Sequence, residues 1–278
     1  MTANPAGGSV APMSEAAETL QADEIKSCCA NLYSSDVVRA LLGDSYHPGG
    51  LALTRDLLRL AGVTANNRVL DVASGTGATA FLIASELGAE VTGVDLSVEN
   101  VSTASAEAAD RGVSERVQFR SGDAEALPVE DNSFDVVVCE CAFCTFPNKT
   151  TAAAELARAL KPGGRLALSD VVLDFDAVGP GLRSLAGWIA CLADAKPLET
   201  YSALLSEAGL STTATVRCDD AIASMLDLIE SRMTALRMLG ALPQDVDWSM
   251  APVLLEEARS ALAAGSLGYA LLIAEKPK

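Results

Sequence analysis

The sequence predicts an α/β protein built on a doubly wound, mostly parallel sheet. Three features predict it: short apolar runs alternate with alanine-rich helical ones, a glycine turn joins the first such pair, and helices followed by two more apolar runs close the chain. Alternating strands and helices imply right-handed crossovers and a parallel sheet.

Taken in order, residues 1–20, "MTANPAGGSVAPMSEAAETL", are small and polar and read as a disordered tail; without a basic start or a continuous apolar run they do not resemble a signal peptide. Residues 21–60 read as an N-terminal helical cap, interrupted at "HPGG" (47–50) and resumed in "LALTRDLLRLAG", whose apolar positions recur at helical spacing. The core then runs over 61–175. It begins with a strand at 68–73, a helix at 77–87, a strand at 90–95 and a helix at 98–111. Strands at 117–123 and 134–140 follow, then a helix at 149–160 and a strand at 165–172. Beyond residue 176 come helices at 181–195 and 198–209, a strand at 212–218, a helical insertion over 219–264, and a last strand at 268–276. These two strands complete a seven-stranded sheet with an antiparallel C-terminal edge.

Composition narrows the ligand. The chain of 278 residues has a formal net charge of −17, and its acids and bases are interspersed. Nucleic-acid binding needs clustered Lys and Arg, so that class is disfavoured and a small or cationic ligand fits better. No stretch is long and apolar enough to span a bilayer, and a cytoplasmic location is expected. Seven cysteines, an odd number with Cys28 and Cys29 adjacent, do not resemble a disulfide framework.

"VLDVASGTGATA" (69–80) joins a strand to a helix through a glycine turn, so backbone N–H groups and a helix N-terminus face the sheet's carboxyl edge. A Gly-x-Gly turn alone is weak evidence, because tight turns need glycine for conformational reasons. Three acids strengthen it: Asp71 at the end of the first strand, Asp95 at the end of the second, and Asp123 in "GDAEALP" after the third. Each alone is compatible with a helix cap. All three at successive strand ends are hard to explain that way.

These residues resemble the class I S-adenosylmethionine-dependent methyltransferases over about residues 60–175, with "LKPGGRLALSD" (160–170) fitting the same pattern. The resemblance implies a Rossmann-like fold and S-adenosylmethionine as cofactor. It also implies that Asp71, Ala73, Gly75, Thr76 and Gly77 at the turn, Asp95 and Leu96 after the second strand, and Asp123 and Ala124 after the third hold that cofactor. A dinucleotide dehydrogenase would instead show Gly-x-Gly-x-x-Gly, whereas residue 80 is alanine.

The stretch "CECAFC" (139–144) puts three cysteines at the carboxyl end of the fourth strand, on the rim where ligands bind in such sheets. If the strand stays extended, Cys139 and Cys141 point to the same side, and Cys144 joins them only if the chain turns. Burial is the ordinary role of cysteine and is expected for Cys218. Cys141-Ala-Phe-Cys144 lacks the second closely spaced pair usual for structural zinc and the helix start usual for a redox motif. Soft thiolates select thiophilic centres. "VVVCECAFCTFPNK" (136–149), with "LAGWIACLADAKPLETYSALLSEAG" (185–209) and "KSCCANLY" (26–33), is similar to the arsenite methyltransferases.

That closer resemblance implies trivalent arsenic bound by Cys141 and Cys191, with a third thiol from Cys28, Cys29 or Cys144, or a two-thiol site. A thiol or thioredoxin-type reductant is the implied partner. The family's cysteine shortly before the first strand is absent from "GDSYHPGG" (43–50), where His47 is either a substrate-side residue or a solvated turn residue. A methyltransferase for another thiophilic metalloid or for a small organic O, N or C nucleophile, with the cysteines as core residues, is the alternative, and a sensor that binds without turnover is a third.

Overall fold

The computed structural model describes residues 41, 46–186, 194–242 and 248–278. Cys28, Cys29 and Cys191, the tail, and most of the cap lie outside the described residues.

Helix α1 (Gly50–Ala61) starts after Gly49 at φ 79° and stops at Gly62 at φ 67°, left-handed positions that glycine takes at little steric cost. It buries Thr54, Leu57, Leu58 and Ala61. Strand β1 (Arg68–Val72), helix α2 (Ala78–Leu82, continued by a π turn through Leu87), β2 (Glu90–Asp95), α3 (Val98–Asp110) and β3 (Val117–Ser121) form the first half of the sheet. The second half contains β4 (Phe134–Glu140), α4 (Lys149–Ala159), β5 (Leu160–Leu173), α5 (Pro180–Ala186), α6 (Leu198–Glu207) and β6 (Ser211–Arg217). Helices α7 (Asp219–Met238) and α8 (Ala251–Ala263) precede β7 (Leu267–Glu275).

The seven strands lie in the order β3-β2-β1-β4-β5-β7-β6. Pairings from β3 through β5 are parallel, while β7 is antiparallel to both β5 and β6. The antiparallel C-terminal edge therefore arises from one reversed strand, β7, inserted between β5 and an outer β6. The order reverses between β1 and β4, which opens a crevice at their carboxyl ends where ligands of such sheets bind.

Period-2 alternation sorts the central strands into two cores. Val69, Val136 and Val138 face α1 and α2, whereas Leu70, Val137 and Cys139 face α4 and α6. A third cluster joins Val171, Leu173 and Tyr269 to Ile222 of α7 and Ala258 and Ala261 of α8. This packing seats the helical insertion against β5 and β7 at the carboxyl end of β5.

Gly93 couples the sheet to the glycine turn. A Cβ built there lies 2.4 Å from Phe119 Cδ1 and 2.8 Å from Ser74 Oγ. Gly93→Ala is expected to lower stability by about 1–3 kcal/mol, the usual cost of overpacking. An unchanged urea midpoint would show that Phe119 repacks freely.

Candidate active site

A cavity of about 210 Å³ lies at the crevice between β1 and β4. Its lining includes Asp71, Ala73, Gly75, Thr76, Asp95, Leu96, Asp123 and Ala124, eight of the nine residues expected at the cofactor. Gly77, the ninth, stands behind the turn at φ 91°, with an added Cβ only 2.6 Å from Phe119 and 2.9 Å from Phe81. Its role in the architecture is to let the turn pack on two aromatic rings.

The turn after β1 is held from several sides. Ser74 N–H donates to Val94 O at 3.1 Å and Gly77 N–H to Ser74 O at 2.9 Å, while Ala73 and Gly75 adopt positive φ. Asp95 closes the arrangement: Gly75 N–H donates to Oδ2 at 2.7 Å, and Ser97 N–H and Asn100 Nδ2 donate to Oδ1 at 2.9 and 3.1 Å. Asp123 accepts from Glu125 N–H at 2.9 Å.

Two buried polar atoms in this wall have no hydrogen-bond partner among the described residues: Asp71 Oδ2 and Ser74 Oγ. Burial, reinforced by the charges of Glu140 and Asp95, raises the Asp71 carboxyl well above the ordinary range. A carboxylate oxygen left without a donor is a place for a cationic or N–H-bearing ligand. Among the described residues the lining carries Asp71, Asp95, Asp123 and Glu140 and neither Lys nor Arg. These features fit S-adenosylmethionine, whose sulfonium and ammonium groups are positive.

Glu140, adjacent to Cys141, was not singled out from the sequence. Its buried carboxylate accepts from Thr54 Oγ1 at 3.1 Å to both oxygens, from Thr79 Oγ1 at 2.7 Å and from Ser169 Oγ at 3.5 Å. His47 Nε2 lies 3.9 Å from Oε2 and 3.4 Å from Thr54 Oγ1, and both Tyr46 and His47 line the cavity. The strand-end position that drew attention to Asp71 and Asp95 was a signal for Glu140 as well.

The cysteines separate. Strand β4 ends at Glu140, and Cys141 has φ 51°, so the extended strand that would put Cys139 and Cys141 on one side stops short. Cys139 is fully buried among α4 and α6 side chains, and Cys141 turns into the cavity lining. The chain does turn after it, in a 3₁₀ segment at Phe143–Thr145, yet Cys144 is fully buried against Val171, Leu173 and Tyr269. Cys218 sits at the N-cap of α7 and is half-buried. Burial, then Asp170 and Glu140, raise the Cys141 thiol well above its ordinary range, against a lowering hydrogen bond from Tyr269. Beneath it, burial pushes Asp170 up to about 6 while Cys144 N–H, at 2.9 Å, and Val171 N–H, at 2.7 Å, donate to it. Among the described residues no group of three or more His, Cys, Asp or Glu side chains has metal-holding geometry.

Asp194, three residues beyond Cys191 in sequence, pairs with Lys149 Nζ at 2.5 Å. The same ammonium donates to Cys144 O at 2.8 Å and Phe146 O at 3.0 Å. The chain re-entering the described structure at 194 is thus tied to the turn that carries Cys141.

The pattern defining the family described as "Methyltransferase domain" matches residues 64–209. The 27-O-demethylrifamycin SV methyltransferase of Amycolatopsis mediterranei is 31% identical over 87% of this chain and 94% of its own. The chain belongs to the class I S-adenosylmethionine-dependent methyltransferases. An arsenite methyltransferase of Halobacterium salinarum is 38% identical, but over 54% of this chain and 38% of that protein. Among solved structures, a Haemonchus contortus phosphoethanolamine N-methyltransferase bound to S-adenosylmethionine shares the fold, with a TM-score of 0.78 at 20% identity over 91% of this chain and 60% of that one. This methyltransferase has no helix, among the described residues, long and apolar enough to cross a membrane.

Proposed function

We propose that this methyltransferase acts on a thiophilic metalloid, trivalent arsenic, held at Cys141 and Cys191. The observation that carries the reading is Cys141: it lines the cofactor cavity as a left-handed residue immediately after β4, beside Glu140. S-adenosylmethionine supplies an electrophilic methyl group. A metalloid lone pair carries no proton, so no base is required, and the chain's task is to hold the acceptor and exclude water. The raised thiol of Cys141 is compatible with this role. Condensation of a protonated thiol with arsenous acid forms the S–As bond and releases water, so a thiolate need not form first. A thiol or thioredoxin-type reductant would return methylated, pentavalent product to the trivalent state for a further round.

A second reading, methylation of an organic hydroxyl, rests on His47. It stands over the same end of the cavity, with Glu140 oriented beside it. It offers the base that a hydroxyl acceptor requires, and the near full-length rifamycin-related relative is named for such an acceptor.

Incubating the protein with arsenite, S-adenosylmethionine and dithiothreitol is expected to yield methylated arsenic, read by chromatography with elemental mass detection. Absence of product together with turnover of a hydroxylated polyketide acceptor would replace the first reading by the second.

A further inference from the structure

A row of buried hydroxyls leads away from Cys141. Ser169 of β5 and Tyr269 of β7 are both fully buried, and their hydroxyl oxygens lie 2.9 Å apart. Ser169 Oγ also reaches Glu140 Oε2 at 3.5 Å, and the Tyr269 hydroxyl is hydrogen-bonded to the thiol of Cys141. The backbone of Cys141 is tied to the same pair, its N–H donating to Ser169 O at 2.7 Å. This half-buried cysteine thus stands between the cavity it lines and the cluster of Cys144, Val171 and Tyr269 it packs against. Tyr269 has little freedom of its own. Its N–H donates to Asp219 Oδ1 at 3.2 Å, its carbonyl accepts from Cys218 N–H at 2.7 Å, and it stands opposite Val171 in the β5–β7 pairing.

We propose that Tyr269, backed by Ser169, is a positioning residue that holds the Cys141 sulfur in one place before and after it captures the acceptor. Strand β4 ends at Glu140 and Cys141 is left-handed at φ 51°, so regular strand geometry no longer sets where its side chain points. The hydroxyl pair does so instead.

A hydroxyl both donates and accepts, and it rotates to suit its partners. While the thiol keeps its proton, S–H donates to Tyr269, Tyr269 O–H donates to Ser169, and Ser169 O–H donates to the Glu140 carboxylate. On capture a sulfur–arsenic bond forms, an arsenic–oxygen bond breaks, and the thiol proton leaves with that oxygen as water. The sulfur is then an acceptor only. Ser169 O–H turns from Glu140 to Tyr269, and Tyr269 O–H turns to the sulfur, while Glu140 keeps Thr54 and Thr79 as donors. Rotation alone makes the change, and Tyr269, Ser169 and Glu140 each keep the protons they had. The gain is alignment: in-line transfer needs the acceptor lone pair aimed at the methyl group, and a misplacement of about 1 Å costs on the order of a hundredfold. The inference rests on the metalloid reading of Cys141.

The test compares wild type with Tyr269→Phe, measuring kcat and KM for arsenite in the presence of S-adenosylmethionine and dithiothreitol, with calorimetric cofactor affinity and urea midpoints alongside. Phenylalanine keeps the ring and removes only the hydroxyl, so a role in packing alone survives the exchange. Per folded molecule, kcat is expected to fall about tenfold or more, because the arsenic is captured but poorly aimed. KM for arsenite should change less than about threefold, since the thiol that captures it remains, and cofactor affinity less than about twofold. A kcat within about twofold of wild type, or a loss lying wholly in KM or in cofactor affinity, overturns the role. A wild type that forms no methylarsenic is a separate result, which removes the metalloid reading and this role with it. Should Tyr269→Phe fail to fold, Ser169→Ala decides: it keeps the carbonyl that accepts from Cys141 N–H and deletes the hydroxyl behind Tyr269. A kcat loss of about threefold or more with cofactor affinity retained is then expected, and an unchanged kcat overturns the proposal.

Discussion

Asp95→Ala is expected to bind S-adenosylmethionine roughly ten- to a hundredfold more weakly, corresponding to about 1.5–3 kcal/mol for charge-assisted hydrogen bonds. The carboxylate at the end of β2 is the acceptor proposed for the ribose hydroxyls, a role that alanine cannot fill. The structure adds a second cost. Asp95 also receives Gly75 N–H at 2.7 Å and Ser97 N–H at 2.9 Å, so its loss strips acceptors from the glycine turn and from the start of α3. Gly75 is at φ 54° and an added Cβ would meet nothing within 4 Å, so at this residue the turn is held by its hydrogen bond to Asp95, while Gly77 packs on the rings of Phe81 and Phe119. Asp95→Asn separates the two costs: it retains one side-chain oxygen for an N–H while losing the charge. Calorimetry on both variants, with circular dichroism to confirm folding, checks the assignment. Unchanged affinity in a folded Asp95→Ala protein would move the ribose site elsewhere.

The sheet was legible in the sequence because its elements are locally consistent. β4, "FDVVVCE", is apolar on both faces because helices cover both, and β1 closes on an acid and a glycine turn for reasons that act within a few residues. The strand at 160–164 was not legible as such, since "LKPGG" contains a proline and two glycines; Lys276 N–H donating to Gly164 O at 2.9 Å and Gly163 N–H to Lys276 O at 2.8 Å recruit it as an extension of β5. The reversed strand was legible in kind but not in place. Which of β6 and β7 pairs with β5 depends on contacts between residues about a hundred positions apart, such as Ser169 with Tyr269 at 2.9 Å.

The candidate site divided in the same way. Strand-end acids are legible from spacing, Glu140 at the end of β4 among them, but its anchoring by Thr54, from a helix 86 residues away in sequence, is visible only in the folded chain. The thiols were hardest. Whether adjacent cysteines share a face turns on one backbone angle, that of Cys141, and no side-chain pattern announces a left-handed residue there.

Cys141→Ser is expected to lower arsenite-dependent methylation on the order of a hundredfold or more, the scale on which metal sites respond to a disturbed ligand shell. The exchange isolates ligand chemistry. Serine and cysteine differ little in volume and share the same backbone demands, so φ 51° strains both equally. A hydroxyl is a hard, protonated donor that does not hold a thiophilic centre in place of a thiol. S-adenosylmethionine affinity should stay within about twofold, because Asp71, Asp95 and Asp123, the residues proposed to hold the cofactor, are untouched; a small residual effect of this size is ordinary for a neutral lining change. Cys191→Ser should match the loss if the two thiols hold one arsenic atom. Cys218→Ser, at the half-buried N-cap of α7, should leave turnover nearly unchanged. Cys144→Ser is the informative contrast, since its thiol is sealed against Val171, Leu173 and Tyr269. Its cost should appear in stability rather than in turnover per folded molecule. Parallel rates of methylarsenic formation, cofactor affinities and urea midpoints for these four variants separate a thiol that holds substrate from one that fills space. If Cys141→Ser and Cys191→Ser both retain full arsenite-dependent activity, the metalloid reading fails; if arsenite is inert with every variant and His47→Ala abolishes methylation of a hydroxyl acceptor, the thiols return to the core and the cavity belongs to an O-methyltransferase.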